Sequence, residues 1–455
     1  EAVLVTLVVF KEDGTGWEPY AAESIEQIDD RHIRFRLRPG IMWSNGFGEL
    51  TAEDVKFSFE RIADPKNESP WQYAWDLLER VEVVDSHSGV IVLKEPFAPV
   101  WQSSLPWYAG HIVCRKAVEA AGGRYSTEPP AICGPYKIGA WEPQRRIVLS
   151  ANPDWNGPAP AFPEIDLVIV KDDQAAELAY AAGELDFTRI GALAIERYRS
   201  APPADARLIE RPAIDYVWLG LNVEHPNLQD IRVRQAIQYA VDVDSVLEAA
   251  YGGMASRATG FMAPHLIGCR ERNLIAARDL DRARGLLAEA GVGTLNTTIT
   301  VLSTVEFVTM AQVIQANLAE IGIGAEIYPY DEGAFWNLGI EAEGEAWKDL
   351  EIFVQRFNGG VDPSENAVWF TCAQVGVWNW QRWCSEEYDA LYAAALREVD
   401  PAARGRMYAR MQDLLEESGS VLFLTNETQA VVHKAEIVPA LLPDCSPFLA
   451  HFRRA

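Results

Sequence analysis

Ile33-Arg34-Phe35-Arg36-Leu37-Arg38-Pro39-Gly40-Ile41-Met42-Trp43-Ser44-Asn45-Gly46 runs on to Leu50-Thr51-Ala52-Glu53-Asp54-Val55-Lys56-Phe57-Ser58-Phe59. Apolar and charged residues alternate from Ile33 to Leu37, the period of a half-buried strand, and Arg38-Pro39-Gly40 closes the run as a turn. Thr51 then stands as a helix N-cap with Asp54 as the acidic third residue. Val55, Phe59 and Ile62, spaced i, i+4, i+7, give the helix that follows one apolar face, until Asp64-Pro65 stops it. Strand, turn and capped helix in close succession make this a mixed α/β chain.

The same reading extends outward. Residues 81–84 and 90–93 predict two strands joined by a polar turn, and 136–138 with 147–149 a second pair flanking Gly139. To about residue 150 the chain reads as α+β. Residues 165–170, 173–182 and 185–187 predict strand, helix and strand, a βαβ unit with Gly183 ending its helix. A strand at 216–221 precedes a helix at 230–241 with Val233, Ile237 and Val241 on one face. Residues 298–302, 308–321 and 323–328 predict a clearer crossover, right-handed by default. A strand at 350–354, two helices within 388–415 divided near Asp400-Pro401, and a strand at 421–424 complete the pattern. With no repeat and no low-complexity linker, the chain is expected to pass back and forth between units that share a cleft.

The 455 residues suffice for two or three compact units. Lys and Arg number 40 against 66 Asp and Glu, for a formal charge of -26, which repels nucleic acid and anionic lipid alike. This acidity keeps a surface soluble or meets a basic partner. The longest apolar run, Val3 to Phe10 broken by Thr6, is far short of the roughly 20 residues that span a bilayer. The chain opens on Glu1 with neither a translation start nor a secretory signal, so an upstream segment is expected to have been removed. Cysteines at 114, 133, 269, 372, 384 and 445 form no CxxC and no Cys/His group at zinc spacing, and no metal site or cofactor is expected. The short 372–384 loop could close as a disulfide in an exported protein, whereas in a cytosolic one the thiols would be inert core residues.

Catalytic spacing is missing: the sequence has no HExxH, no GxSxG, no Walker loop and no GxGxxG after a strand. Histidines 32, 87, 111, 225, 265, 433 and 451 are scattered, and acid pairs such as Asp242 and Asp244 are expected by chance in so acidic a chain. No catalytic residue is assigned, and binding is the better default. Trp369, Trp378, Trp380 and Trp383, interleaved with Asn379, Gln381 and Arg382, suit either a packed core or, as a cluster, a cleft for sugars or peptide side chains.

In order along the chain, the stretch from Ile33 to Phe59, Gly134-Pro135-Tyr136, Asn152-Pro153-Asp154-Trp155, Leu219-Gly220-Leu221-Asn222, Val233-Arg234-Gln235-Ala236-Ile237 through Ala240-Val241-Asp242, and Leu286-Leu287-Ala288-Glu289-Ala290-Gly291 resemble the peptide/nickel/oligosaccharide class of periplasmic solute-binding proteins. The resemblance implies the two-lobed α/β periplasmic-binding-protein fold, in its large class with an extra α+β subdomain in the first lobe and a ligand cleft between lobes. The corresponding divisions are 1–150 for the extra subdomain, 151–218 with 432–455 for the core of lobe 1, and 219–431 for lobe 2. It further implies a monomer in the periplasm or on the outer face of the cytoplasmic membrane, without cofactor. This monomer captures a small hydrophilic ligand, peptide or peptide-like, for the permease of an ABC importer. Members begin with a signal peptide and a strand ending near a Leu-Asp-Pro motif, so part of the pocket is expected to lie outside this sequence. Cys372-Ala373, Asn379 and Trp383-Cys384 look like the dipeptide-binding branch, in which the two cysteines are bridged. Cys114 with Cys133 and Cys269 with Cys445 are candidate pairs that the sequence leaves open.

One departure bears on the ligand. Peptide binders of the class carry a Trp, three residues on an Asp that pairs with the ligand's ammonium, and three further on an acid before Pro. Asp362-Pro363 keeps the last element, but Gly359 stands at the Asp and Arg356 at the Trp. Losing the partner of a desolvated cation costs about 3–5 kcal/mol. Arg356 offers instead a planar fork for carboxylate, sulfate or phosphate, unless it points to solvent or pairs with Asp362. An oligosaccharide or an opine-like, anionic conjugate therefore stands beside peptide as ligand. A cleft hydrolase using paired carboxylates and a nickel carrier have no motif in support. The expected ligand-binding residues are Trp218, Asn222, Trp347, Arg356, Phe357, Asn358, Gly359, Asp362, Trp378, Trp380 and Trp383.

Overall fold

Ile33, Phe35 and Leu37 are fully buried and Arg34 and Arg36 exposed, so the alternation in the sequence is that of a strand with one wet face. In the computed structural model, which describes residues 2–12, 16–125, 128–170 and 172–455, β1 (Ala22–Gln27) and β2 (His32–Leu37) pair antiparallel. Helix α1 (Ala52–Ala63) starts where Thr51 and Asp54 predict. The Asp54 carboxylate accepts from the Thr51 N–H at 2.9 Å and the Thr51 hydroxyl at 3.1 Å, and also from the Arg115 N–H at 2.8 Å. One side chain thus caps the helix and ties it to a distant segment. Phe59 on its buried face stacks on Trp75 with centroids 4.3 Å apart. Strands β3 (Leu78–Val83) and β4 (Ser88–Leu93) complete an antiparallel sheet of order β1-β2-β4-β3.

Strands β5 (Tyr136–Glu142), β6 (Arg146–Ala151) and β7 (Glu164–Val168) form a second antiparallel sheet, order β7-β6-β5. Gly139 lies inside β5 and not in the turn. Ile138 opposes Leu149 and Ala140 opposes Val148, which leaves Gly139 as the extra residue of a bulge. The chain reverses later, where Gln144 takes φ 61°. Helix α2 (Asp173–Ala181) ends before Gly183 as expected, and β8 (Phe187–Ile190) begins two residues later than predicted. This segment is strand, helix and strand, but not the βαβ unit expected. β7 is an edge of the β5–β6 sheet, whereas β8 pairs antiparallel with the strand Thr428–Lys434. Periodicity identifies a strand without naming its partner, and β7 finds β6 close by along the chain.

The chain divides into two compact units: Glu1–Ile209, Leu396–Val399 and Ala430–Ala455 form unit 1, and Glu210–Ala395 with Asp400–Gln429 form unit 2. Unit 2 contains β9 (Tyr216–Leu221), helix α3 (Ile231–Ala240), β10 (Leu295–Leu302), helix α4 (Val305–Ala319), β11 (Ile323–Tyr330), the one-turn helix α5 (Glu332–Phe335), β12 (Ile352–Phe357), helix α6 (Pro363–Ala367), helices α7 (Glu386–Ala395) and α8 (Pro401–Glu417), and β13 (Val421–Thr425). Its sheet has the order β11-β10-β12-β9-β13. β10 runs parallel to β11 and β12, so 295–330 is the crossover the sequence predicts, and β9 runs antiparallel to its neighbours β12 and β13. Val217, Leu219, Leu221, Ile299, Val301, Ile352 and Val354 pack with Val233 and Ile237 of α3 and Met310, Ile314 and Leu318 of α4 in one buried cluster. Each such side chain contributes about 1.5–3 kcal/mol.

Cys372 and Cys384 form a disulfide, whereas Cys114, Cys133, Cys269 and Cys445 form none, so neither of the two further candidate pairs exists. Cys114 and Cys133 are thiols inside the apolar core of unit 1, where burial pushes both above the ordinary thiol range. Cys269 lies in unit 2 and Cys445 in unit 1. Among the described residues no helix is long and apolar enough to cross a membrane.

Candidate functional site

Three segments of unit 2 meet around a cavity of about 460 Å³ lined by Glu332, Trp336, Arg356, Phe357, Asn358, Trp369 and Trp378. The first segment follows β11, where Asp331 caps α5 by accepting from the Ala334 N–H at 3.1 Å and so turns Glu332 and Trp336 off the strand end. The second is the end of β12, and the third is the stretch after α6 that the disulfide closes. β11 and β12 both run parallel to β10, so the cavity lies at the carboxyl ends of parallel strands, where open α/β sheets bind ligands.

Four rings form one wall. Phe357 lies 6.3 Å from Trp336, 5.7 Å from Trp369 and 6.1 Å from Trp378, and Trp378 lies 6.3 Å from both Trp336 and Trp369. Behind Phe357 the aromatic packing continues through Trp218, 4.8 Å away and fully buried. The wall is therefore backed by core.

Arg356 supplies the cavity's cation. Its Nη1 lies 3.5 Å from an Oε2 of Glu427, its side chain is 42 % exposed, and no other ion pair of it occurs among the described residues. The Tyr251 hydroxyl donates to the other Glu427 oxygen at 2.9 Å. Burial first, then the nearby Asp215 and Glu306 carboxylates, hold the Glu427 carboxyl above its ordinary range against the pull of Arg356 and the Tyr251 hydroxyl. Arg356 neither faces plain solvent nor pairs with Asp362, the two simpler options left open by the sequence.

Asp362 is committed elsewhere. Its carboxylate is fully buried, receives Arg404 through both terminal nitrogens at 2.6 and 2.7 Å, and caps α6 by accepting from the Ser364 N–H at 2.9 Å and hydroxyl at 2.6 Å. This bidentate pair anchors the loop after β12. The loop is tightened further by Asn366, which accepts from the Gly360 N–H at 2.7 Å. Glu365 next to it is pushed up to about 7, by burial first and then by the Asp362 charge.

Gly359 carries the departure seen in the sequence, and its surroundings explain it. A Cβ there would sit 1.8 Å from the Ile214 carbonyl oxygen, so no side chain fits, and its N–H donates to Asp215 Oδ1 at 3.2 Å. The position is occupied by close backbone approach.

The structure thus gathers Arg356, Phe357, Asn358 and Trp378 of the expected residues into one cavity, with Trp369 of the tryptophan cluster. The others lie apart from its lining. Trp218 and Trp380 are fully buried core. Asn222 donates to the Leu350 carbonyl at 2.8 Å from a buried position. Trp347 stacks under Arg382 at 3.9 Å, with Arg382 ion-paired to Glu341 at 2.7 Å, and Trp383 packs edge-on against Tyr388 at 5.6 Å. Trp336, Glu332 and Glu427 escaped the sequence reading. An aspartate-capped turn directly after the second crossover strand was the available signal for the first two.

The model of bacterial extracellular solute-binding proteins, family 5 Middle, matches residues 16–379. Di/tripeptide-binding protein 3 of Pseudomonas aeruginosa is 26% identical over 93% of this chain and 83% of its own length. The dipeptide-binding protein of Escherichia coli is 25% identical over the same shares. Among solved structures, HbpA2 from Haemophilus parasuis superposes with a TM-score of 0.87 at 24% identity, covering 100% of this chain and 94% of that one. A family match across most of the sequence and a shared fold across its whole length place this chain in the bacterial extracellular solute-binding proteins, family 5.

Proposed function

We propose that this protein is the solute-binding subunit of an ABC importer, working in the periplasm or on the outer face of the cytoplasmic membrane. In this reading it captures a peptide or peptide-like ligand and hands it to a permease unaltered. The observation that carries the reading is the cavity at the end of β12: a family-5 member presents four aromatic rings, one cation and one anion around a volume suited to a small ligand. The relatives named as di- and tripeptide-binding proteins support the peptide class. Aromatic faces bury varied side chains without demanding one sequence, while charged groups fix the ligand's orientation. Hydrolysis by paired carboxylates needs two acids flanking the scissile bond, and the cavity lining holds Glu332 as its one carboxylate.

Melting of the purified protein against panels of peptides, sugars and opines tests this, since a ligand of the native state stabilises it by RT ln(1 + [L]/Kd). Di- and tripeptides are expected to raise the melting temperature and to be recovered intact by mass spectrometry. Stabilisation by sugars alone, or conversion of the peptide, would overturn the reading. Arg356 favours a second one, an anionic conjugate such as an opine, which predicts stabilisation by opines without stabilisation by peptides.

A further inference from the structure

The cavity carries one group of each sign, and neither is consumed by a strong partner. Arg356 makes a single long contact with Glu427 at 3.5 Å, which leaves most of its donor fork for a ligand. Glu332, on the segment after β11, is an exposed residue of the same lining and carries no ion pair among the described residues. The same lining holds the wall of Trp336, Phe357, Trp369 and Trp378, its rings 5.7 to 6.3 Å apart.

From this juxtaposition we infer that the cavity selects a zwitterion with an apolar or planar side chain: its anionic end on Arg356, its cationic end at Glu332, its side chain against the aromatic wall. The inference rests on the peptide reading and sharpens it. Gly359 cannot carry a carboxylate, because a Cβ would lie 1.8 Å from the Ile214 carbonyl oxygen. Glu332 is the carboxylate that the cavity itself offers. A bidentate contact from a guanidinium to a carboxylate is directional as well as strong, so Arg356 would set the orientation of the bound ligand.

The test uses calorimetric titration of the whole protein. From a panel of di- and tripeptides with aromatic or aliphatic side chains, the tightest binder is taken forward with its N-acetyl form and its C-terminal amide. In the native protein each cap is expected to weaken binding about tenfold or more, the loss that follows from removing a charge-assisted hydrogen bond. In Glu332→Gln the N-acetyl penalty is expected to shrink to about twofold while the amide penalty persists, and in Arg356→Gln the reverse. Both side chains are at least partly exposed, and unchanged circular dichroism verifies that the variants fold. Caps that do not matter in the native protein, or a penalty that survives the loss of its assigned residue, would overturn the inference and leave the peptide reading standing. Failure of every peptide to bind would remove both.

Discussion

At the scale of single residues, Gly359 is fixed by close backbone packing, whereas Arg356 is the cation of the cavity's lining. Gly359 is the point where the loop after β12 passes closest to the backbone of Ile214, and the conflict there is with a carbonyl and not with a movable side chain. Gly359→Ala is therefore expected to destabilise the protein by about 1–3 kcal/mol, the range for forcing atoms into a packed site, read from the urea midpoint at unchanged slope. A neutral result would mean that the loop relaxes freely. Gly359→Asp is expected to do no better, so restoring the carboxylate familiar from peptide binders would not restore an ammonium site. Glu365 supplies a pH signature. Its folded-state value of about 7 lies above the ordinary 4.5, so the folded state holds the proton more tightly than the unfolded state. Its contribution is then fully present below pH 4.5 and lost as pH rises towards about 7. Comparing melting temperatures across that window, Glu365→Gln is expected to flatten the fall. An identical pH profile in the variant would show that another group is responsible.

At the scale of elements, the disulfide Cys372–Cys384 closes the segment that carries Trp378. The link constrains a short loop, and replacing both cysteines by serine is expected to cost about 2–3 kcal/mol by the chain-entropy estimate. The same change should weaken ligand binding, because Trp378 contacts Trp336, Trp369 and Phe357 from within that loop. Full affinity in a destabilised double variant would separate the bridge from the site. The elements also show what sequence pattern can and cannot say. Helix α1 and the β10-α4-β11 crossover were legible because their cap and apolar periods are local properties. The partner of β7 was not, since a strand's period fixes which face is buried and leaves open which strand it joins. The tryptophan cluster was legible as a cluster only. Trp380 fills core while Trp378, two residues earlier, lines the cavity, a split made by the irregular chain between the cysteines.

At the scale of the whole molecule, unit 1 and unit 2 each hold a cavity. The one in unit 1, about 280 Å³, is lined by Tyr20, Trp155, His451 and Phe452 among others. Hydrogen exchange in the presence of a saturating peptide is expected to slow at residues 332–336, 356–358 and 369–378 and to leave 155–161 unchanged. Protection confined to the unit 1 cavity would relocate the site. Local periodicity in the sequence determined the alternation of strands and helices, and the resemblance carried by its residue order implied the family, the bridge between Cys372 and Cys384 and the loss of an acid at 359. Only the tertiary structure decided that Asp362 belongs to Arg404, that Arg356 looks into an aromatic cavity with Glu427 behind it, and that Trp336 and Glu332 complete the lining. Those outcomes depend on which segments meet across the end of a sheet, and contacts between residues far apart in the chain leave no period in the sequence to read.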